Sequence, residues 1–341
     1  MTKNLLFFIL LLFPLNAEIQ VPFAEMAKNE QQIVIATNRI ELEDFPNAHN
    51  PSIIQVDDGY LMTFRFCPDH QFQPWLSYIG VVLLDESFQP ISQPKLLNSR
   101  QKNSKTPSQS EDARIFQYRG RIFVIYNDNV DLVNPRTWER RDMYIAELLH
   151  NGNNYSLSTP LKLIYEEKYH TQYWQKNWIA FEWNKTLLIS YTLDPHEILY
   201  ANLLDGACYH CYRTSPSLNW DLGTLRGSTP PLKVDGEFLA FFHSSIITES
   251  PYSDGEELWH YFMGAYTFSA DPPFKITKIT PFPIVTDKFY TKSNYYKKVV
   301  FPGGFVVSKE HIYVAYGKDD CEIWIAKINK NALKKALKPV E

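Results

Sequence analysis

The chain has 341 residues, 45% hydrophobic and 21% charged, with a net charge of −4. This balance excludes a disordered segment, and the length admits one large domain or two ordinary ones. No basic face is in evidence, which argues against a nucleic-acid partner, while 15% aromatic content suits both strand packing and stacking on sugars.

In chain order, the first element is a leader. Lys3 precedes the apolar run Leu5 to Leu15, broken by Pro14, and then Asn16-Ala17. A charged start, a short apolar stretch and a small residue predict a signal peptide over 1–17 and a secreted, periplasmic or lumenal protein. The run is too short to span a bilayer and no other segment approaches that length, so no membrane span is expected after cleavage.

Beyond it, apolar runs of four to seven residues with turn residues between them predict strands almost everywhere. A short helix near Asn331–Leu337 is the exception. One unit recurs five times: a polar cluster, a short apolar strand, a turn, and a second strand closing on a polar residue. The copies are His49–Arg65, Glu111–Asn127, Lys176–Tyr191, Arg226–His243 and Phe301–Gly317. Their turns, at Gly59, Gly120, Asn184, Gly236 and near Lys309, recur about every 60 residues, the length of a four-stranded blade with its loops. A hairpin cannot bury both of its faces, and radial stacking solves that problem. The prediction is an all-β, five-bladed β-propeller occupying 18–341 as a single domain, with a large β-sandwich as the alternative.

The repeat also predicts a site. Each polar cluster precedes the strand that lines the channel, so the clusters converge on one mouth. Asp112, in Ser110-Glu111-Asp112-Ala113-Arg114, is the candidate catalytic carboxylate. Strand alternation lets only one of Glu111 and Asp112 face the channel. Lys176, Arg226 and His243 are read as cations from other blades, suited to an anion such as phosphate. Asp320 is suited to sugar hydroxyls, with Asp319 the neighbour easily confused with it. Trp174, Trp178 and Trp220 are candidates for sugar stacking or for the core. The pair Lys297-Lys298 and the Lys-rich end are read as solvated.

Cys67, Cys208, Cys211 and Cys321 could pair in an oxidising compartment. Cys208-Tyr-His-Cys211 has no second such pair, so no metal is predicted. Asn154-Tyr-Ser and Asn184-Lys-Thr are glycosylation sequons.

Together, His49-Asn-Pro, Ser110-Glu-Asp-Ala-Arg114, Lys176-Asn-Trp178, Pro195-His196, Leu225-Arg-Gly-Ser-Thr-Pro230, Phe241-Phe-His-Ser-Ser245, Phe301-Pro-Gly-Gly304 and Tyr316-Gly-Lys-Asp-Asp320 resemble glycoside hydrolase family 130 across residues 45 to 327. The resemblance implies a five-bladed propeller acting on β-mannosides with inversion, by hydrolysis or phosphorolysis. It implies Asp112 as proton donor acting through a sugar hydroxyl, Lys176 and His243 as phosphate-binding residues, and Asn50, Arg65 and Asp320 as substrate-binding residues. Glu111 and Arg226 join that substrate-binding set. Ala113 stands where the family has proline. The family's phosphate-binding arginine has only Arg140 and Arg141 as nearby counterparts, both read as a strand start. Hydrolysis would require a base, for which Asp194, Glu197 and Glu322 are candidates. The expected partner is an oligosaccharide or glycan, with inorganic phosphate as a possible co-substrate and no other cofactor. Two other readings stay open: a non-catalytic glycan-binding propeller, and mannosyl transfer from a sugar phosphate.

Overall fold

In the computed structural model, residues 33–68, 76–100, 108–129, 140–152, 154–292 and 296–341 are described. The leader read at 1–17 and most of the loop before Arg141 lie outside them.

The strands form five blades around a channel, as the repeat predicts. Blade 1 runs Ala48–Val56, Gly59–Phe66, Tyr78–Leu84 and Lys95–Leu96 from the channel outward. Blade 2 runs Glu111–Tyr118, Arg121–Asp128, Asp142–Asn151 and Leu161–Tyr165, with Asn154–Leu157 flanking its third strand. Blade 3 runs Ile179–Trp183, Thr186–Leu193, His196–Ala201 and Ala207–Thr214. The inner edge of blade 4 is broken into Arg226–Gly227 and Leu232–Val234, followed by Glu237–Thr248, Leu258–Ser269 and Ile276–Ile279. Blade 5 contributes Val300–Val307, His311–Lys318 and Glu322–Asn329.

The ring closes with a strand from the other end of the chain. Val34–Ile40 pairs antiparallel with Glu322–Asn329 and becomes the outer strand of blade 5. Sequence periodicity does not mark it, because only Val34 and Ile40 are buried along its length. The helix near the C-terminus is present as Lys330–Ala336, capped by Asn329 Oδ1, which accepts from Ala332 N at 3.0 Å.

The core is a ring of five apolar clusters, one per junction between neighbouring blades. Leu61, Ile115 and Val124 join blades 1 and 2. Ile125, Trp178 and Ile189 join blades 2 and 3. Phe181, Phe242 and Phe268 join blades 3 and 4. Phe241, Phe262 and Val314 join blades 4 and 5, and Ile53, Phe64 and Ile325 join blades 5 and 1. Two glycines are dictated by this packing. A Cβ at Gly80 or Gly264 would sit 2.2 Å from the ring of Phe64 or Phe242, the cross-strand partner of each.

All four cysteines are free thiols, with Cys208 buried and Cys211 exposed. No helix among the described residues is long and apolar enough to cross a membrane.

Candidate active site

The polar clusters reach the channel through a shared distortion. The inner strands of blades 1 and 2 slip register between His49 and Ser52 and between Glu111 and Arg114. Within those bulges Asn50 and Asp112 take φ of 46° and 55°, and Asn177, at the head of blade 3, takes 63°. Asn and Asp are the non-glycine residues that best tolerate this left-handed region, which is why they recur here. The bulge cancels strand alternation. Glu111 and Asp112 therefore both line the cavity, contrary to the expectation that only one could.

The cavity has a volume of about 860 Å³. It gathers Asn50 and Arg65 from blade 1, Glu111 and Asp112 from blade 2, and Lys176 from the approach to blade 3. Arg226 and His243 enter from blade 4, and Asp320 from the turn after the second strand of blade 5. These eight residues, read from the sequence as the catalytic, substrate-binding and phosphate-binding set, thus border one space.

Its carboxylates are treated unequally. Glu111 is 2% exposed and gripped by three cations from three segments. Arg65 Nη2 and Arg141 Nη2 meet Oε1 at 2.9 and 2.8 Å, and Lys176 Nζ meets Oε2 at 2.8 Å. Burial alone would raise its pKa, but Arg65, Lys176 and Arg141 together hold the carboxyl well below the usual range. Asp320 is opposed by burial in the same way, yet Lys297, His49 and Arg65 bring it down to about 2, and Lys297 is its direct ion-pair partner. Asp112 has lighter company. Its Oδ1 accepts from Asn50 Nδ2 at 2.9 Å and lies 3.6 Å from Arg65 Nη1.

The cationic side departs from the sequence reading at His243. Burial, then Arg226, Arg114 and Lys176, push its pKa well below the ordinary value. It is a neutral imidazole rather than a cation, with Nδ1 2.5 Å from Ser228 Oγ. Arg226 donates to Ser245 Oγ at 2.9 Å and has no carboxylate partner among the described residues. Below them Arg114 is fully buried. It donates to the carbonyls of Asp112 and Ser228 at 3.0 and 2.5 Å and to Asn177 Oδ1 at 3.1 Å, tying the blade 2 bulge to blades 3 and 4.

Other expectations need correction. Arg141 is more than a strand start, since it is buried beneath the cavity and clamps Glu111, Asn127 and the Gln109 carbonyl. Arg140 instead pairs with Asp142. Lys297 and Lys298 are not simply solvated. Lys297 lines the cavity, and Lys298 is buried and donates to the Thr291 carbonyl at 2.9 Å. None of Asp194, Glu197 and Glu322 borders the cavity. Glu197 accepts from Tyr165 Oη, and Glu322 from Trp324 Nε1. Asp319 turns away to accept from Val299 N. Of the three tryptophans, Trp174 lines the cavity, Trp178 is buried in the core, and Trp220 packs on the core and donates to Ser244 Oγ. Sequence reasoning missed Trp259, Tyr261 and Tyr296, which also line the cavity. Trp259 and Tyr261 alternate along one strand, but nothing in that spacing says which face meets the channel.

The sequence model of the glycoside hydrolase 130 family, described as beta-1,4-mannooligosaccharide phosphorylase, matches residues 20–338. Similar solved structures include a glycosyl hydrolase from Bacteroides ovatus, with a TM-score of 0.61, 15% identity, and 84% of this chain and 85% of that chain covered. A beta-1,2-mannobiose phosphorylase from Listeria innocua, solved with beta-1,2-mannobiose, has a TM-score of 0.57 and 14% identity over 91% of this chain and 97% of that one. A mannose phosphorylase from Leishmania mexicana, solved with phosphate ion, has a TM-score of 0.60 and 10% identity over 94% and 96%. No curated sequence matches the chain. Identities this low speak for the fold, whereas the family match spans nearly the whole sequence. The chain belongs to glycoside hydrolase family 130 and is an enzyme acting on glycosides.

Proposed function

We propose that the chain cleaves β-mannosides by inverting phosphorolysis, with Asp112 as the proton donor. The observation that carries this reading is the uneven pairing of charge in the cavity. Glu111 and Asp320 are held as ionised partners of cations, which makes them poor acids and poor bases. Arg226 carries a positive charge with no carboxylate opposite it among the described residues, beside Lys176 and the neutral His243. Among the described residues, a site with an unspent cation, Arg226, and no poised second carboxylate suits an anionic nucleophile better than a water awaiting a base.

In this mechanism a phosphate oxygen attacks the anomeric carbon while the bond to the leaving oxygen breaks. Asp112 supplies the proton to that oxygen through a sugar hydroxyl, and the proton of hydrogen phosphate restores Asp112. The products are a sugar 1-phosphate of inverted configuration and the shortened sugar. Arg226 and Lys176 hold the phosphate charge, and His243 can donate to it from Nε2 when Nδ1 accepts from Ser228. Asp320, Asn50 and Arg65 lie on the blade 5 and blade 1 side, where they suit the sugar hydroxyls.

Incubation with β-1,4- and β-1,2-linked mannobiose, with and without phosphate, tests the reading. Phosphate-dependent release of mannose 1-phosphate is expected, with chain extension from mannose 1-phosphate as the reverse reaction. Equal release of free mannose without phosphate would establish hydrolysis instead, and glycan binding without turnover would leave a lectin-like propeller. The leader at 1–17 is proposed to direct export. A mature N-terminus near Glu18 in protein recovered from its host supports this, and an intact Met1 overturns it.

A further inference from the structure

Blade 4 differs from the other four in a way the proposed chemistry does not use. The second strand is 8 residues long in blades 1, 2, 3 and 5, and 12 in blade 4. Arg65, Asn127 and His243 are the seventh residues of their strands, so the extra length of blade 4, Ser245 to Thr248, extends past the mouth. At about 3.3 Å per residue it rises roughly 13 Å beyond its neighbours. Its partner strand, Leu258–Ser269, is also 12 residues long and pairs with it along its entire length.

The side of this wall facing the cavity is aromatic and apolar. Ser245 pairs with Tyr261 and Ile247 with Trp259, and cross-strand partners share a face. The ring of Tyr261 stacks 6.1 Å from that of His243 at 16°. One step outward, Trp259 is 43% and Ile247 54% exposed. Beside them runs the short strand Lys297–Lys298, parallel to Trp259 and His260, which brings up Tyr296. Tyr296 is 59% exposed, and Lys297, the partner of Asp320, lies 5.3 Å from its ring centroid.

The other side of the wall is fixed to the protein. Ile246 and Phe262 join the blade 4–5 core, and Tyr290 Oη donates to the Tyr261 carbonyl at 2.7 Å. A rigid aromatic ramp therefore leads from the imidazole at the cavity floor out to solvent. Exposed apolar faces held rigid at the mouth of a polar cavity are what the C–H face of a pyranose ring stacks upon.

We propose that the blade 4 wall, through Trp259, Tyr261 and Tyr296, is a subsite for sugar units beyond the cleaved linkage, so that the enzyme favours oligosaccharides over disaccharides. This rests on the mannoside reading above for the identity of the sugar. The test compares kcat/KM for the disaccharide, trisaccharide and tetrasaccharide of the linkage that wild-type protein cleaves. Wild type should gain about tenfold from disaccharide to tetrasaccharide, the order of magnitude set by burying one aromatic face. In Trp259→Ala that gain should collapse toward one, and Trp259→Phe should restore most of it. A purely structural role would lower all three substrates together and leave the ratio intact, which would overturn the subsite, as would a wild type indifferent to chain length. If no β-mannoside turns over, the mannoside reading fails by itself. The wall is then judged by calorimetric titration with mannotetraose: weaker binding in Trp259→Ala supports it, and unchanged or absent binding overturns it.

Discussion

The same five inner strands end in two very different mouths. At their N-terminal ends lies the cavity of about 860 Å³, where cations and carboxylates interlock. At their C-terminal ends lies a second hollow of about 660 Å³, lined by Ile53, Ile115, Ala180, Phe305 and Val307, with charge in Glu182, Lys233, Asp235 and Lys330. Blade geometry is common to both, so the propeller by itself does not make a site. The difference is local. Left-handed bulge and lead-in residues occur at the upper ends, at Asn50, Asp112 and Asn177, and they turn polar side chains inward where alternation would have hidden half of them. The lower ends keep their alternation, and their inward residues are those a strand packs with. Arg114, which lines neither hollow, is buried and holds carbonyls of blades 2 and 4.

If the upper mouth alone carries the chemistry, the largest effect belongs to Asp112→Asn. The amide keeps the shape and tolerates φ of 55°, so the fold should survive, with a melting temperature within about 3 °C of wild type. The proton to be donated is lost, and kcat should fall by about 10² to 10⁴. Turnover within about twofold of wild type would remove Asp112 from the catalytic role.

Glu111→Gln probes the clamp instead of the chemistry. It leaves Arg65, Arg141 and Lys176, all largely buried, without their shared anion, at a cost of about 3–5 kcal/mol of stability by denaturant unfolding. The pH dependence has a definite sign. A carboxyl depressed in the folded state contributes fully above its unfolded pKa, near 4.3 for Glu, and loses that contribution as pH falls through the folded value. Wild type should lose stability steadily below about pH 4, with Asp320 adding its share down to about 2. The variant should show a shallower acid slope, and an unchanged slope would mean the clamp is not what holds the mouth together.

Much of this arrangement was legible in the sequence, for reasons visible in particular residues. Period-two apolar runs closed by Gly59, Gly120, Asn184 and Gly236 are local signals, and they mark the central hairpins of the blades. The polar clusters were legible because they recur at the same point of each repeat. What depends on a partner far along the chain was not. Arg141 looks like any strand start until Glu111 is placed against it. His243 looks like a cation until burial and three neighbouring cations are added up. Lys297 looks solvated until Asp320 meets it. The closing strand Val34–Ile40 has two buried ends and little between to announce it.

Arg226→Ala tests whether the unpaired cation serves the nucleophile. A charge-assisted hydrogen bond to phosphate is worth about 1.5–3 kcal/mol, so the KM for phosphate should rise about tenfold to a hundredfold. The KM for the mannoside should move far less. Equal rises in both would place Arg226 on the sugar and weaken the case for an anion between blades 3 and 4.

The smallest expected effect carries the comparison furthest. Lys233 is an exposed residue at the lower mouth. Lys233→Glu changes the charge there by two, as drastic a local change as any at the upper mouth. The inner strand of blade 5 is 8 residues long, about 25 Å at strand rise, so the two mouths stand roughly three Debye lengths apart at 0.15 M ionic strength. Buried protein between the mouths screens charge less than open water does, which leaves room for some coupling but not for a dominant one. The phosphate KM should therefore change by less than about twofold, and that small change should shrink further as salt is added. A rise comparable to that of Arg226→Ala would mean that charge at the lower mouth is felt along the channel, and that the two mouths work as one electrostatic unit.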